Sequence, residues 1–198
     1  LWNQRFSARI SSEIEPIKSY QVRFIKKGGV EYIWLDLHAS RVEFRGRPSV
    51  LGILRDISKQ KEAEDLIWQQ ANFDGLTGLP NRRMFRDRLE QEMKKSERTG
   101  IALAVMFLDL DHFKEINDTM GHDKGDILLK EAASRLRECV RETDTVARLG
   151  GDEFVILLSE MNDLTSLERI AQNILDQLVK PFELDVEPVY ISASIGIT

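Results

Sequence analysis

Cysteine is almost missing from this chain: Cys139 stands alone among 198 residues. A single thiol excludes an intramolecular disulfide framework and points to a reducing compartment. Its place in a helical pattern makes it a small core residue rather than a nucleophile. Long apolar runs are missing as well, since no stretch reaches the roughly 20 residues that a membrane-spanning helix needs. No secretory signal, internal repeat or low-complexity tract is present. Histidine is scarce, and His122 has no second His or Cys placed to share a metal, so it reads as structural. An excess of positive charge is also lacking. The net charge of −5 argues against a nucleic-acid partner. That charge is uneven, +4 over residues 1–57 and −9 over the rest, which suggests two units of different character. Leu1 at the start and a strand-like run at the end read as a piece of a longer protein. This portion is expected in the cytoplasm, with any membrane contact made by segments outside it.

What is present is enough for a real core, at 42% hydrophobic residues. Apolar positions Trp2, Phe6, Ile10, Ile14 and Ile17 recur at roughly helical spacing. Strand-like runs at 20–25, 32–37 and 50–57 are joined by turns at Lys27-Gly28-Gly29 and Arg45-Gly46-Arg47-Pro48, which predicts an antiparallel meander. Ser58 stands where a helix cap would, ahead of a helix over 59–72 with Ala63, Leu66, Ile67 and Ala71 on one face. That helix reads either as a connector that pairs with a second copy or as a solvated linker. Gly75, Gly78 and Pro80 break it, and helical spacing resumes over 83–96.

Residues 101–108 form a continuous apolar run, as in a strand buried on both faces. Helical patterns follow at 112–119 and 123–140. Two strand-like runs, 146–149 and 154–158, then flank Gly150-Gly151, a tight hairpin signal. A helix over 163–180 and an alternating strand over 189–197 complete the chain. The fold class is α/β (α+β), a sheet with helices packed on it.

Asp109 ends a buried strand, and Asp152 follows a tight turn. Carboxylates from separate segments suit Mg²⁺, which takes one or two of them and fills its shell with phosphates and water. Asp111 sits at a helix start, where capping is its better reading. Backbone N–H groups of His112, Phe113 and Lys114 enter that helix and are available to phosphate oxygens. Lys114 reads as a phosphate cation or a plain surface lysine. Asn117 and Asp126 flank Gly121-His122 and suit guanine recognition, with helix capping the alternative for Asp126.

Four ordered motifs carry a resemblance. They are Asp74-Gly75-Leu76-Thr77-Gly78-Leu79-Pro80-Asn81-Arg82, Phe107-Leu108-Asp109-Leu110-Asp111-His112-Phe113-Lys114, the run from Asn117 to Asp126, and Arg148-Leu149-Gly150-Gly151-Asp152-Glu153-Phe154. Together they resemble the GGDEF family of diguanylate cyclases, over about 125 residues. The resemblance implies a mixed sheet flanked by helices, related to nucleotide-cyclase and polymerase palm domains. It also implies conversion of two GTP into cyclic di-GMP in a homodimer. By resemblance, Asp109, Asp152 and the Leu110 carbonyl ligate Mg²⁺ (or Mn²⁺), and Glu153 assists catalysis with Asp152. Phe113 and Lys114 lie along the phosphates, and Asn117 and Asp126 read guanine. Arg141 and Asp144 match the family's Arg-x-x-Asp site for inhibition by the product.

Residues 1–57 resemble the C-terminal part of a PAS sensor domain, on Gly28–Trp34 and Gly52–Ser58. The implied organisation is a sensor over 1–57, a connector helix over 58–72 and a GGDEF domain over 73–198, truncated at its C-terminus. A GTP-binding regulatory module that controls an adjoining phosphodiesterase is the alternative.

Overall fold

The computed structural model describes residues 19–25, 29, 32–161, 163–184 and 188–198. The helical spacing noted over 1–18 and the first turn at 27–28 lie outside them. The chain divides into two compact units, Leu1–Trp68 and Gln69–Thr198. Among the described residues no helix is long and apolar enough to cross a membrane.

The first unit is an antiparallel sheet of β1 (Ser19–Ile25), β2 (Tyr32–Phe44) and β3 (Arg47–Asp56), in that order. The second hairpin is longer than its apolar pattern indicated. Arg45 and Gly46, both at positive φ, form a two-residue turn that lets Phe44 pair with Arg47. Pro48 therefore lies within β3, tolerated because β3 is an edge strand. Leu37, Ala39 and Ile57 are buried.

Helix α1 (Ser58–Asn72) follows. The Ser58 hydroxyl does not cap it; that oxygen accepts the Trp34 N–H at 3.0 Å, and the Ser58 N–H is taken by Asp56. Leu66, Ile67 and Trp68 on α1 are exposed.

In the second unit, Asn81 starts α2 (Arg82–Thr99) by accepting the N–H groups of Arg83 and Met84. The Asn81 side-chain NH2 donates to the Ala71 carbonyl at 3.0 Å, tying the start of α2 to the end of α1. The central sheet runs β5 (Thr145–Gly150), β6 (Glu153–Met161), β4 (Ala102–Leu110), β9 (Ala193–Ile197), with each described pairing antiparallel. Helices α3 (Phe113–Met120) and α4 (His122–Glu138) lie between β4 and β5, and α5 (Leu164–Leu178) follows β6.

Alternation along β4 sends Met106, Leu108 and Leu110 to one face, where they pack with Leu128, Ala132 and Leu136 of α4 and Ile174 of α5. Val105 faces the other way, with Val155 and Leu157 of β6 and Phe85 of α2. The strand is thus covered on both sides at its centre only. Phe107 is outside the α2 cluster and 50% exposed, against the expectation of a strand buried throughout.

The final segment also departs from a single strand over 189–197. Pro188–Val189 (β8) pairs with Phe182–Glu183 (β7), and the chain then leaves that small sheet to join β4 as β9. The Arg135 guanidinium from α4 closes the end of α5, donating to the carbonyls of Gln177, Lys180 and Pro181 while lying over the Phe182 ring.

Candidate functional site

The register of the sheet builds the site. Asp109, near the end of β4, pairs directly with Glu153 at the start of β6 and with Ser194 of β9. Gly150 closes β5 at φ 143° and Gly151 turns at φ 56°, conformations that side chains rarely adopt, so the hairpin can reverse in the two residues Gly151 and Asp152. Strand β4, which carries Asp109, is the neighbour of β6, whose leading turn holds Asp152. Burial first, and then the charges of Asp152, Glu153 and Asp111, push the Asp109 carboxyl up from its ordinary value.

The Arg82 guanidinium lies 3.8 Å from Glu153 at the rim of this acidic group. No cluster of three His, Cys, Asp or Glu side chains with metal-binding geometry exists among the described residues. The donor set nonetheless fits a hard divalent cation, because mutually repelling carboxylates beside a strand-end carbonyl need positive charge. Such a cation completes its shell with phosphate and water rather than with a third side chain.

Asp111 does not cap α3. Its carboxylate accepts Ser192 Oγ–H at 2.6 Å and Ser194 Oγ–H at 2.8 Å, and its N–H donates to the Ser192 carbonyl. Those hydroxyls hold its carboxyl below the ordinary value. The loop after Asp109 is thus clamped to β9, and His112, at φ 61°, begins α3 with no side-chain cap. No acceptor among the described residues takes the N–H of His112, Phe113 or Lys114. Phe113 is buried in the main core, and Lys114 is exposed beside it.

Asn117 lies in the last part of α3. Its side-chain oxygen is buried, without a hydrogen-bond donor, against Gly125 of α4. Asp126 is the next residue, exposed and inside α4. The capping alternative for it falls, because the N-cap of that helix is Gly121 and no side chain caps it. His122 is exposed at the first position of α4.

Arg148 belongs to one of the four motifs, yet sequence reasoning assigns it no role. Its guanidinium donates twice to the Gly151 carbonyl, at 2.9 and 2.7 Å, and once to Asp74 at 3.0 Å, while its N–H donates to the Pro80 carbonyl. It fastens the Gly150–Gly151 turn to the 74–81 loop. Burial raises the Asp74 carboxyl, but hydrogen bonds from the Thr77 hydroxyl and N–H and from Arg148 outweigh this and leave it lowered. An arginine flanking a turn carries no local sign of a partner 74 residues away.

Arg141 and Asp144 lie apart from the acidic group, on a cavity of about 500 Å³ that Arg88 and Arg137 also line. The Asp144 carboxylate accepts the N–H of Arg141 and the N–H of Ser159.

Residues 71–198 match the family model "Diguanylate cyclase, GGDEF domain". MucR of Pseudomonas aeruginosa, a bifunctional diguanylate cyclase/cyclic di-GMP phosphodiesterase, is 46% identical over 129 residues, 65% of this chain and 19% of that protein. NbdA of the same species, a cyclic di-GMP phosphodiesterase, is 42% identical over 130 residues, 66% of this chain and 16% of its own length. The chain thus spans less than a third of these relatives. Among solved structures, the GGDEF domain of TpbB from Pseudomonas aeruginosa superposes with a TM-score of 0.62 at 45% identity, covering 63% of this chain and 73% of that one. With the family model matched over nearly all of its second unit, the chain belongs to the GGDEF-domain family of diguanylate cyclases.

Proposed function

We propose that the domain condenses two GTP into cyclic di-GMP and two pyrophosphates. The observation that carries this reading is the cross-strand pair of Asp109 and Glu153, with Asp152 in the turn beside them and the unclaimed N–H groups of 112–114 following in the chain. Asp109, Asp152 and the Leu110 carbonyl would hold Mg²⁺ or Mn²⁺; bound there, the cation supplies charge neutralisation for in-line displacement at phosphorus. The N–H groups of His112, Phe113 and Lys114 bind phosphate oxygens, and the Lys114 ammonium adds a positive charge. Asn117 and Asp126 hold guanine, the carboxylate accepting its N–H groups. Glu153, paired across the strands with Asp109, would accept the proton of the attacking 3′-hydroxyl, with Asp152 assisting beside it.

Each domain offers one such set of groups, so two copies must face each other to join two GTP. The cavity at Arg141 suits the product: the guanidinium donates to phosphate or to a guanine edge. Each Asp144 oxygen retains a lone pair beyond the one its backbone donor uses. The three-stranded sheet and α1 fit a PAS-like sensor over 1–57 and a connector over 58–72 that control this output.

A second reading has one observation in its favour, the similarity of this region to NbdA. In it the domain binds GTP and regulates an adjoining phosphodiesterase. Full-length protein incubated with GTP and Mg²⁺, with products separated by chromatography, distinguishes the two. Cyclic di-GMP that disappears in Glu153→Gln supports the cyclase. GTP binding without turnover, under conditions in which the protein dimerises, supports the regulatory module.

A further inference from the structure

Gly125 is buried in the second turn of α4, and its α-carbon faces two side chains of α3. A Cβ placed there would overlap Asn117 Oδ1 and come within 3.0 Å of Asn117 Cγ and 3.2 Å of Phe113 Cζ. That same Oδ1 is buried with no hydrogen-bond donor among the described residues. Two disadvantages therefore coincide at one contact. Glycine inside a helix is unfavourable relative to alanine, and a buried amide oxygen without a donor is unfavourable relative to a solvated one. Either would be relieved by a small change: an alanine at 125, or a turn of Asn117 toward water. Their coexistence makes sense if the amide must lie where it does.

With Oδ1 set against Gly125, the NH2 end of the Asn117 amide is the end left to a ligand, and it makes no side-chain hydrogen bond among the described residues. Asp126, which follows Gly125 directly, presents an exposed carboxylate. A donor packed beside Gly125 and an acceptor next to it in sequence thus flank a residue with no side chain. We infer that Gly125 is a specificity-determining positioning residue: the space left by its missing Cβ holds the Asn117 amide in the orientation that, with Asp126, selects guanine over adenine. This rests on the guanine reading of Asn117 and Asp126. It adds that the selection depends on a third residue that touches no base.

The steric cause sets the test. An added methyl group can be accommodated, because Asn117 is a flexible side chain that can swing away, and the swing is what costs recognition. In the full-length protein, Gly125→Ala should weaken GTP binding about tenfold, the loss of one or two hydrogen bonds. ATP binding, which depends on the phosphates, should hardly change, so the GTP-to-ATP preference measured by calorimetry collapses. In an Asn117→Ala background the overlap is gone. There Gly125→Ala should cause no further loss of GTP affinity and should leave the melting temperature at or above that of Asn117→Ala alone.

Gly125→Ala with an intact GTP preference, while Asn117→Ala loses it, overturns the inference and spares the guanine reading. Asn117→Ala with an intact preference overturns both. Losses that add in the double variant show that Gly125 acts independently of Asn117 and also overturn the inference. Where Gly125→Ala alone fails to fold, recovery of folding in the double variant supports the steric coupling, and failure of both variants to fold refutes it.

Discussion

At the 74–81 loop, the Asp74 carboxylate is met by the Thr77 hydroxyl, the Thr77 N–H and the Arg148 guanidinium. At the end of β4, the Asp109 carboxylate receives no hydrogen bond among the described residues and faces the charges of Asp152, Glu153 and Asp111. One carboxyl is held below its ordinary value and the other is pushed above it. Arg148 connects the two regions, because the hand that does not hold Asp74 grips Gly151 in the turn that carries Asp152. The difference separates charge used to build the scaffold from charge left uncompensated for a ligand. A group of repelling carboxylates is a stability cost that a bound cation would offset at neutral pH.

Breaking the scaffold side should have the largest effect. Arg148→Ala leaves Asp74 half-buried without its cation and the Gly151 carbonyl without its donors. Urea denaturation should show a loss of about 2–3 kcal/mol. Removing the uncompensated charge should have a smaller effect of the other sign. Asp109→Asn should abolish turnover yet stabilise the metal-free domain by about 0.5–1 kcal/mol, because like charges at the surface are screened. The gain should shrink when Mg²⁺ is added to both proteins, since the wild-type carboxylates then have a partner.

Acid acts on the two carboxyls in opposite senses. A lowered carboxyl stabilises fully above its ordinary value of 3.8 and loses that contribution as pH falls through its lower folded value. A raised carboxyl carries its penalty above the folded value and sheds it as pH falls toward 3.8. Melting curves from pH 7 downward should therefore show the advantage of Asp109→Asn fading first. The deficit of Asp74→Asn should fade only below 3.8. The smallest effect belongs to Arg82→Ala, whose 3.8 Å pair with Glu153 is exposed on both sides, with a change under about 0.5 kcal/mol in the same denaturation experiment.

The two parts of the acidic group were legible one by one, from an apolar run ending in acid and a glycine pair between strands, but their neighbour relation comes only from the pairing of β4 with β6. The helices of the second unit were legible from their apolar spacing, as was the three-stranded meander of the first. What stayed hidden depends on partners far along the chain. Asp111 and Ser58 both occupy positions that look like caps, and only the packing of β9 and β2 reveals other claims on their oxygens. Arg148 reads as any arginine in a strand until Asp74 is folded against it. The alternation at 189–197 continues through a change of sheet, because a strand's pattern records which side is buried and not which neighbour it pairs with.

The clamp between Asp111 and β9 has a consequence for how the domain is made. Ser194 follows Asp111 by 83 residues, so during synthesis the loop that carries His112, Phe113 and Lys114 waits for β9 before its geometry is fixed. Closing so large a loop is slow, and pairing of this kind forms late in folding. The helices of 113–138 and the β5–β6 hairpin can assemble from local contacts beforehand. The chain can thus hold much of its core while the loop proposed to meet phosphate is still unfastened, and on that reading the capacity to bind nucleotide arrives only with β9.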